Sequence, residues 1–206
     1  MYCATVISPE NPEYAAWVPH WQTAVRRAGA IPKVFNIDDI PEPFPGAYAH
    51  PTHRWDWAKF ALPLHVGAPC WVTDVDCFPL GCLPYISHGP SCAGLYPYEL
   101  TPRVNVGFMF LEDVIDQVRA HYQSAEHSLW LPHAVELAAA HVLTHMPIPW
   151  HWAVCWGPPS SYADVQGLHF AYCRPEALDL LNHGQSPVET ARRLTAAKLA
   201  NSRGSS

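Results

Sequence analysis

Trp71-Val72-Thr73-Asp74-Val75-Asp76 is an apolar run that ends in two carboxylates two residues apart. Cys70 to Thr73 reads as a strand that runs into these acids, and alternation along an extended chain would put both on one face. Two similar runs precede it, Tyr2 to Ile7, closed by Ser8-Pro9, and Ile31 to Ile37. Between those two, Asn11-Pro12-Glu13 supplies an N-cap, a proline for the first turn and an acid at the positive helix end. The helical pattern continues through Trp17, Trp21 and Val25 to a stop at Gly29, with Pro19 expected to kink or restart it. Asp38 to Pro51 is proline-rich and reads as a loop. His53 to Val66 has helical spacing in Trp57, Phe60, Ala61 and Leu64, with Pro63 expected to shorten it. Strand, helix, strand, helix, strand predicts an α/β sheet. Ligands of such sheets bind beyond the carboxyl ends of the strands, which is where Asp74 and Asp76 fall.

The second half is less regular. Ser91 to Tyr96 and Val104 to Leu111 read as strands, Glu112 to Ser124 and Pro132 to His145 as helices, and Pro147 to Cys155 as an extended aromatic segment. Gly167 to Tyr172 is a last strand, followed by a helix from Pro175 to Asn182. Ser186-Pro187-Val188-Glu189 is a capping box that opens a C-terminal helix to about Ala200, with a frayed tail from Asn201 to Ser206. One domain over residues 1–185 followed by that helix is the expected organisation.

Composition narrows the function. The chain has 206 residues, is 49% hydrophobic and only 15% charged, and carries 22 prolines, which describes a folded protein rather than a disordered one. A net charge of -6 with only 12 Lys and Arg argues against a nucleic-acid partner. Apolar stretches stop well short of the ~18 to 20 residues of a membrane span, and Met1 to Ser8 lacks the marks of a leader, so a soluble cytoplasmic protein is expected. Seven cysteines with no CxxC pair read as reduced thiols, several in buried strands.

Two carboxylates converging at a strand tip repel each other unless a cation lies between them, and oxygen ligands suit Mg²⁺ or Mn²⁺. A strand end with two solvated acids is the plain alternative. Asp56-Trp57-Ala58-Lys59-Phe60 lies upstream, and Val104-Asn105-Val106-Gly107-Phe108 and Gly167-Leu168-His169-Phe170 lie downstream. In this order the segments resemble nucleotide-sugar glycosyltransferases of the GT-A fold, in which a D-x-x-R/K-Y/F helix precedes a DxD strand, an N-x-G strand and a late His-Phe. The resemblance runs from Tyr2 to about Arg174 and is similar to that of glycosyltransferase family 8 and related retaining families. It implies a GT-A-like domain with a mixed, mostly parallel sheet flanked by helices and a Rossmann-like nucleotide-binding half. It also implies transfer of a hexose from a nucleoside-diphosphate donor, UDP foremost, to a hydroxyl acceptor.

By this resemblance Asp74, Asp76 and His169 would hold the Mn²⁺ or Mg²⁺ ion. His169 resembles the first residue of the HFxGxxKPW segment of family 8, from which the chain departs by Tyr172 in place of Gly and by Arg174 one position early. Arg174 would reach the diphosphate, and Asp56 and Lys59, three apart on one helix face, would meet donor sugar, ribose or phosphate. Asn105 and Gly107 would face the donor sugar and acceptor. Thr5 to Ser8 would flank the base, with Tyr14 or Trp17 stacked on it. Each has a plain counterpart: a structural His169, a solvent-facing Arg174, an Asp56–Lys59 surface ion pair, and core aromatics. An inverting route would need a carboxylate base, for which Glu136 is the candidate. So short a chain implies an open acceptor cleft, or one completed by a second subunit as a homodimer.

Other chemistries fit less well. His141 and His145 lie four apart on the expected helix, a zinc-like spacing without a third ligand. No GxxxxGK, GxGxxG or GxSxG stretch occurs. Arg192, Arg193, Lys198 and Arg203 form a late basic set, either a solvated face or a peripheral dock for an anionic membrane or a lipid-linked acceptor, the hydroxyl acceptor being a glycan, a lipid-linked group or a protein. A haloacid-dehalogenase-type phosphatase and a nucleotide-sugar-binding module without turnover are the rival functions.

Overall fold

The computed structural model describes residues 1–8, 10–41, 52–83, 91–95, 104–124, 134–145, 152–154, 161–163, 165–171 and 173–203. In chain order the elements begin with β1 (Tyr2–Ile7), α1 (Pro12–Arg27), β2 (Ile31–Asn36), a 3₁₀ turn at Ile37–Asp39, α2 (Thr52–Val66), β3 (Cys70–Thr73) and β4 (Cys77–Pro79). They continue with β5 (Cys92–Leu95), β6 (Val104–Leu111), α3 (Ile115–Ser124), α4 (Ala134–Ala139), β7 (Thr144–His145) and β8 (Trp152–Ala153). The last are β9 (Gly167–His169), α5 (Arg174–Asn182) and α6 (Pro187–Arg203).

The main sheet has the order β2-β1-β3-β6-β5-β7. β1 pairs in parallel with β2 and β3, β5 pairs in parallel with β7, and β6 runs antiparallel to both its neighbours. The sheet is therefore mixed and mostly parallel, as the sequence predicts. A second sheet, β4-β9-β8, goes beyond the sequence reading, which has β9 within the expected strand Gly167 to Tyr172 and β8 within the extended segment Pro147 to Cys155 but neither β4, too short for a periodic signal, nor the pairing of the three.

Alternation along β1 divides the core. Ala4 and Val6 join the cluster with Trp57, Phe60 and Leu62 of α2, whereas Cys3 joins Trp17, Trp21 and Val25 of α1 on the opposite side. Helices thus cover both faces, and β6 is buried at all eight positions, which explains its unbroken apolar reading. At the base of α1 the Asn11 side chain accepts from the Glu13 amide at 3.0 Å, and Gly29 closes the helix with φ +80, a value that favours glycine.

Several expectations need correction. Pro19 does not restart α1, which is continuous through it, because the buried Trp17 and Trp21 anchor the turns on either side. Pro63 does not shorten α2; the helix reaches Val66, and the Pro63 carbonyl accepts from the Gly67 amide at 2.9 Å. The expected helix to His145 ends at Ala139, so His141 lies in a turn and His145 in β7, and no helical face joins them as a zinc pair. His141 instead stacks on His121 at 4.8 Å between ring centroids. α6 extends to Arg203, past the expected end, with Ser186 Oγ accepting from the Glu189 amide. Two of its basic groups have partners within the chain, Arg192 over the Tyr162 ring and Arg193 beside Glu189. Tyr96, Pro132 and most of the segment from Pro147 to Cys155 lie outside the described residues. Among the described residues no helix is long and apolar enough to cross a membrane.

A buried hydrogen bond ties α1 to the strand that leads to the acids. The indole Nε1 of Trp21 donates to Thr73 Oγ1 at 2.7 Å, and both residues are buried. Thr73→Val keeps the shape and removes the acceptor, leaving the indole N–H without a partner. The expected cost is about 1 to 3 kcal/mol, read as a lower urea midpoint at unchanged slope.

Candidate active site

β3 ends at Thr73, and Asp74 begins a turn, with the Asp74 amide donating to the Gly107 carbonyl and the Cys77 amide donating to the Asp74 carbonyl, both at 3.0 Å. The acids therefore converge through a turn, not by strand alternation as the sequence reading supposed. That turn leads into β4, whose antiparallel pairing sets Cys77 opposite His169 of β9, and the Phe170 amide donates to the Asp76 carbonyl at 3.0 Å. This pairing brings His169 to the two acids. Its Nε2 lies 3.6 Å from Asp74 Oδ2 and 3.3 Å from Asp76 Oδ1.

The other oxygen of each acid faces a cation. Asp74 Oδ1 is 2.5 Å from Lys59 Nζ, and Asp76 Oδ2 is 2.5 Å from Arg174 Nε. Lys59 also lies 3.7 Å from Asp56, one turn earlier on α2. Arg174, at the start of α5, sits over the Tyr14 ring at 5.4 Å. Asp76 is 1% exposed, so its ionised state rests on these neighbours.

Burial opposes the charge of Asp76, but His169 and Arg174 outweigh it and hold the carboxyl below the usual carboxylate range. Burial likewise works against the ammonium of Lys59, yet Asp74 and Asp56 hold it above its ordinary value. Burial lifts Asp56 to about 6, with Lys59 pulling it down and Asp74 pushing it up. The Cys77 thiol is pushed up by burial and by Asp74 and Asp76, which makes it a poor nucleophile.

A cavity of about 250 Å³ opens beside these groups, lined by Val6, Tyr14, Trp55, Asp56, Lys59, Asp74, Asp76 and Arg174 among others. Beside Asp74 and His169, Gly107 of β6 leaves a space that a Cβ would fill. Such an atom would meet Asp74 Oδ2 and Asn105 Oδ1 at 2.8 Å and His169 Cε1 at 2.9 Å. Asp74, Asp76 and His169 each offer one ligand atom, a carboxylate oxygen or an imidazole nitrogen, and the three atoms lie within 4.8 Å of one another. Two carboxylates and an imidazole, with Gly107 leaving room beside Asp74 and His169, fit a divalent cation.

Some expected residues sit elsewhere. Thr5 is fully buried on the face of β1 opposite Val6, so the strand's contribution to the wall is Val6. Ser8 is half-buried, and its carbonyl accepts from the Asn11 amide at the start of α1. Trp17 is a core residue packed on Phe78 and Phe170 and has no surface for a base, which corrects that candidate; Tyr14 does line the cavity. Asn105 is buried, its Oδ1 accepting from the Gly107 amide at 2.8 Å. Glu136 is buried on α4, and its charge raises the Lys59 pKa. Trp55 was missed, although it lies four residues before Lys59 and so shares its helix face. It meets Tyr14 edge-on at 5.9 Å.

No protein-family model matches the chain, and no curated protein matches it in sequence. Solved structures do match. A glycosyltransferase involved in glycosylation of the major capsid of PBCV-1 aligns with a TM-score of 0.60 at 13% identity, over 88% of this chain and 98% of that one. An active-site variant of LgtC aligns with a TM-score of 0.58 at 10% identity, over 89% of this chain and 96% of that one. The galactosyltransferase LgtC in complex with donor and acceptor sugar analogues aligns with a TM-score of 0.52 at 9% identity, over 84% and 88%. The fold is thus the one these glycosyltransferases share, a mixed α/β sheet flanked by helices.

The raised Asp56 predicts a pH dependence. Between about 4, the ordinary value, and about 6 the native chain holds a proton that the unfolded chain has released. This group therefore makes stability fall as pH rises through that window and stay level above it. The difference in unfolding free energy between wild type and Asp56→Asn, followed from pH 3.5 to 7.5, is expected to show this slope.

Proposed function

We propose that the chain transfers a hexose from a nucleoside-diphosphate donor, UDP foremost, to a hydroxyl acceptor, with retained anomeric configuration and with a bound Mn²⁺ or Mg²⁺ ion. The observation that carries this reading is the convergence of Asp74, Asp76 and His169 at the edge of a cavity that also presents Lys59 and Arg174. The three ligands would hold the ion, which when bound acts as a Lewis acid on the departing diphosphate. Lys59 and Arg174 pin the outer carboxylate oxygens and present positive charge to phosphate oxygens, the guanidinium in a planar fork. Asp56 is placed to take sugar or ribose hydroxyls, and Tyr14 with Trp55 forms an aromatic wall suited to a base. Thr5 supports that wall from behind Val6, and Ser8 holds the turn that leads into α1. Asn105 braces the Gly107 amide and so keeps the donor-sugar side open. Glu136, buried and acting on Lys59, is read as tuning that lysine and not as a base, which favours the retaining route over the inverting one.

A panel of nucleoside-diphosphate sugars, incubated with Mn²⁺ or with a chelator, tests the reading through release of nucleoside diphosphate. Metal-dependent release from one donor, with product anomers assigned by NMR, is the expected result. Hydrolysis of simple phosphomonoesters would identify a phosphatase instead. Metal-dependent UDP binding with no turnover would identify a binding module.

A further inference from the structure

The two acids divide their oxygens. Asp74 Oδ1 and Asp76 Oδ2 face Lys59 and Arg174, whereas Asp74 Oδ2 and Asp76 Oδ1 face His169. Each carboxylate at the spot suited to a divalent cation is thus already matched by a fixed positive charge on its far oxygen. Of the five acidic and basic groups lining the cavity, Asp56, Asp74 and Asp76 are set against Lys59 and Arg174. A dication entering alone meets a nearly compensated shell and is repelled by two neighbouring cations. A diphosphate entering alone meets two cations whose charge is spent on the acids. When both enter, the anion answers Lys59, Arg174 and the dication together.

We propose that Lys59 and Arg174 are resident counter-ions of the acidic pair, so that a divalent cation and a diphosphate each bind weakly alone and strongly together. The coupling runs through these two side chains and rests on the reading of the cavity as a cation–diphosphate site. By linkage each ligand raises the affinity for the other by the same factor, of order 5- to 150-fold for couplings of ordinary size. Two other roles predict different signs. If the cations only positioned the carboxylates, losing either would weaken cation binding. If they only bound phosphate, losing either would leave binding of the cation alone unchanged.

Mn²⁺ binding to the full chain, followed by the loss of the free-ion EPR signal with and without UDP and corrected by a protein-free titration for the Mn²⁺ that UDP itself holds, separates these cases without reference to turnover. Wild type is expected to bind Mn²⁺ more tightly when UDP is present. Lys59→Met is expected to bind Mn²⁺ alone about tenfold or more tighter than wild type, to bind UDP more weakly at saturating Mn²⁺, and to lose most of the coupling. Arg174→Gln should behave alike. With a third of its side chain exposed, it carries the test if the Lys59 variant does not fold. Weaker or unchanged Mn²⁺ binding in both variants overturns the counter-ion role while leaving the proposed function standing, as does equal Mn²⁺ affinity with and without UDP in wild type. Absence of any Mn²⁺ or UDP binding to wild type overturns both.

Discussion

Under the proposed function, Asp76→Asn is expected to lower metal-dependent release of nucleoside diphosphate by at least about 10²- to 10³-fold, the scale on which one electrostatic group at a reacting centre is missed. Asp76 has one oxygen toward Arg174 and the other toward His169, and it is almost wholly buried. An asparagine of the same shape has only one oxygen to give. If that oxygen accepts from Arg174, the amide NH₂ points at the place meant for the cation and cannot ligate it. If it turns the other way, Arg174 loses its acceptor and meets a donor. The folded state suffers too, because removing one partner of a buried ion pair costs about 3 to 5 kcal/mol. Turnover is therefore measured well below the variant's melting temperature, with circular dichroism confirming the fold. Retention of turnover within tenfold of wild type would remove Asp76 from the site.

Gly107→Ala should have nearly as large an effect through a single methyl group. The added Cβ would lie 2.8 to 2.9 Å from side-chain atoms of Asp74, Asn105 and His169, closer than carbon tolerates. Gly107 is on a buried strand whose carbonyl holds the Asp74 amide, so strand and acid cannot separate without breaking that bond. The side chains must move instead, and displacement of about 1 Å at a reacting centre costs on the order of 10²-fold. Overpacking should also destabilise the fold by about 1 to 3 kcal/mol. Gly67→Ala is the matched control: Gly67 has φ +74 at the end of α2 with nothing within 4 Å of its missing Cβ. That variant should lose stability from backbone strain yet leave kcat/KM unchanged. Equal turnover in the two variants would show that the space at Gly107 serves packing alone.

Local physics made much of this protein legible from its residues. Period-two and period-3.6 patterns, the Asn11 and Ser186 caps and the stop at Gly29 placed β1, α1, α2, β3, β6 and α6 with small errors at their ends. Helix boundaries at Pro19 and Pro63 were misjudged because a proline's local cost is offset by tertiary anchors, here buried tryptophans and the packed face of α2. Asp74 and Asp76 announced themselves as acids at the end of an apolar strand. Lys59 on its helix face and His169 followed by Phe170 entered through resemblance.

What no short-range pattern carries is the set of partners. The insertion of antiparallel β6 between β3 and β5, the pairing of β4 with β9, and the contact between Asp76 and Arg174, 98 residues apart, are non-local. Each depends on which chain segments meet, and loop closure over such separations is decided by the whole core. Sequence thus determined the strand, the acids and the helix that carries the lysine. Tertiary structure decided that a turn would bring the acids together, that each would divide its oxygens between a cation and an imidazole, and that Gly107 would leave room beside Asp74 and His169.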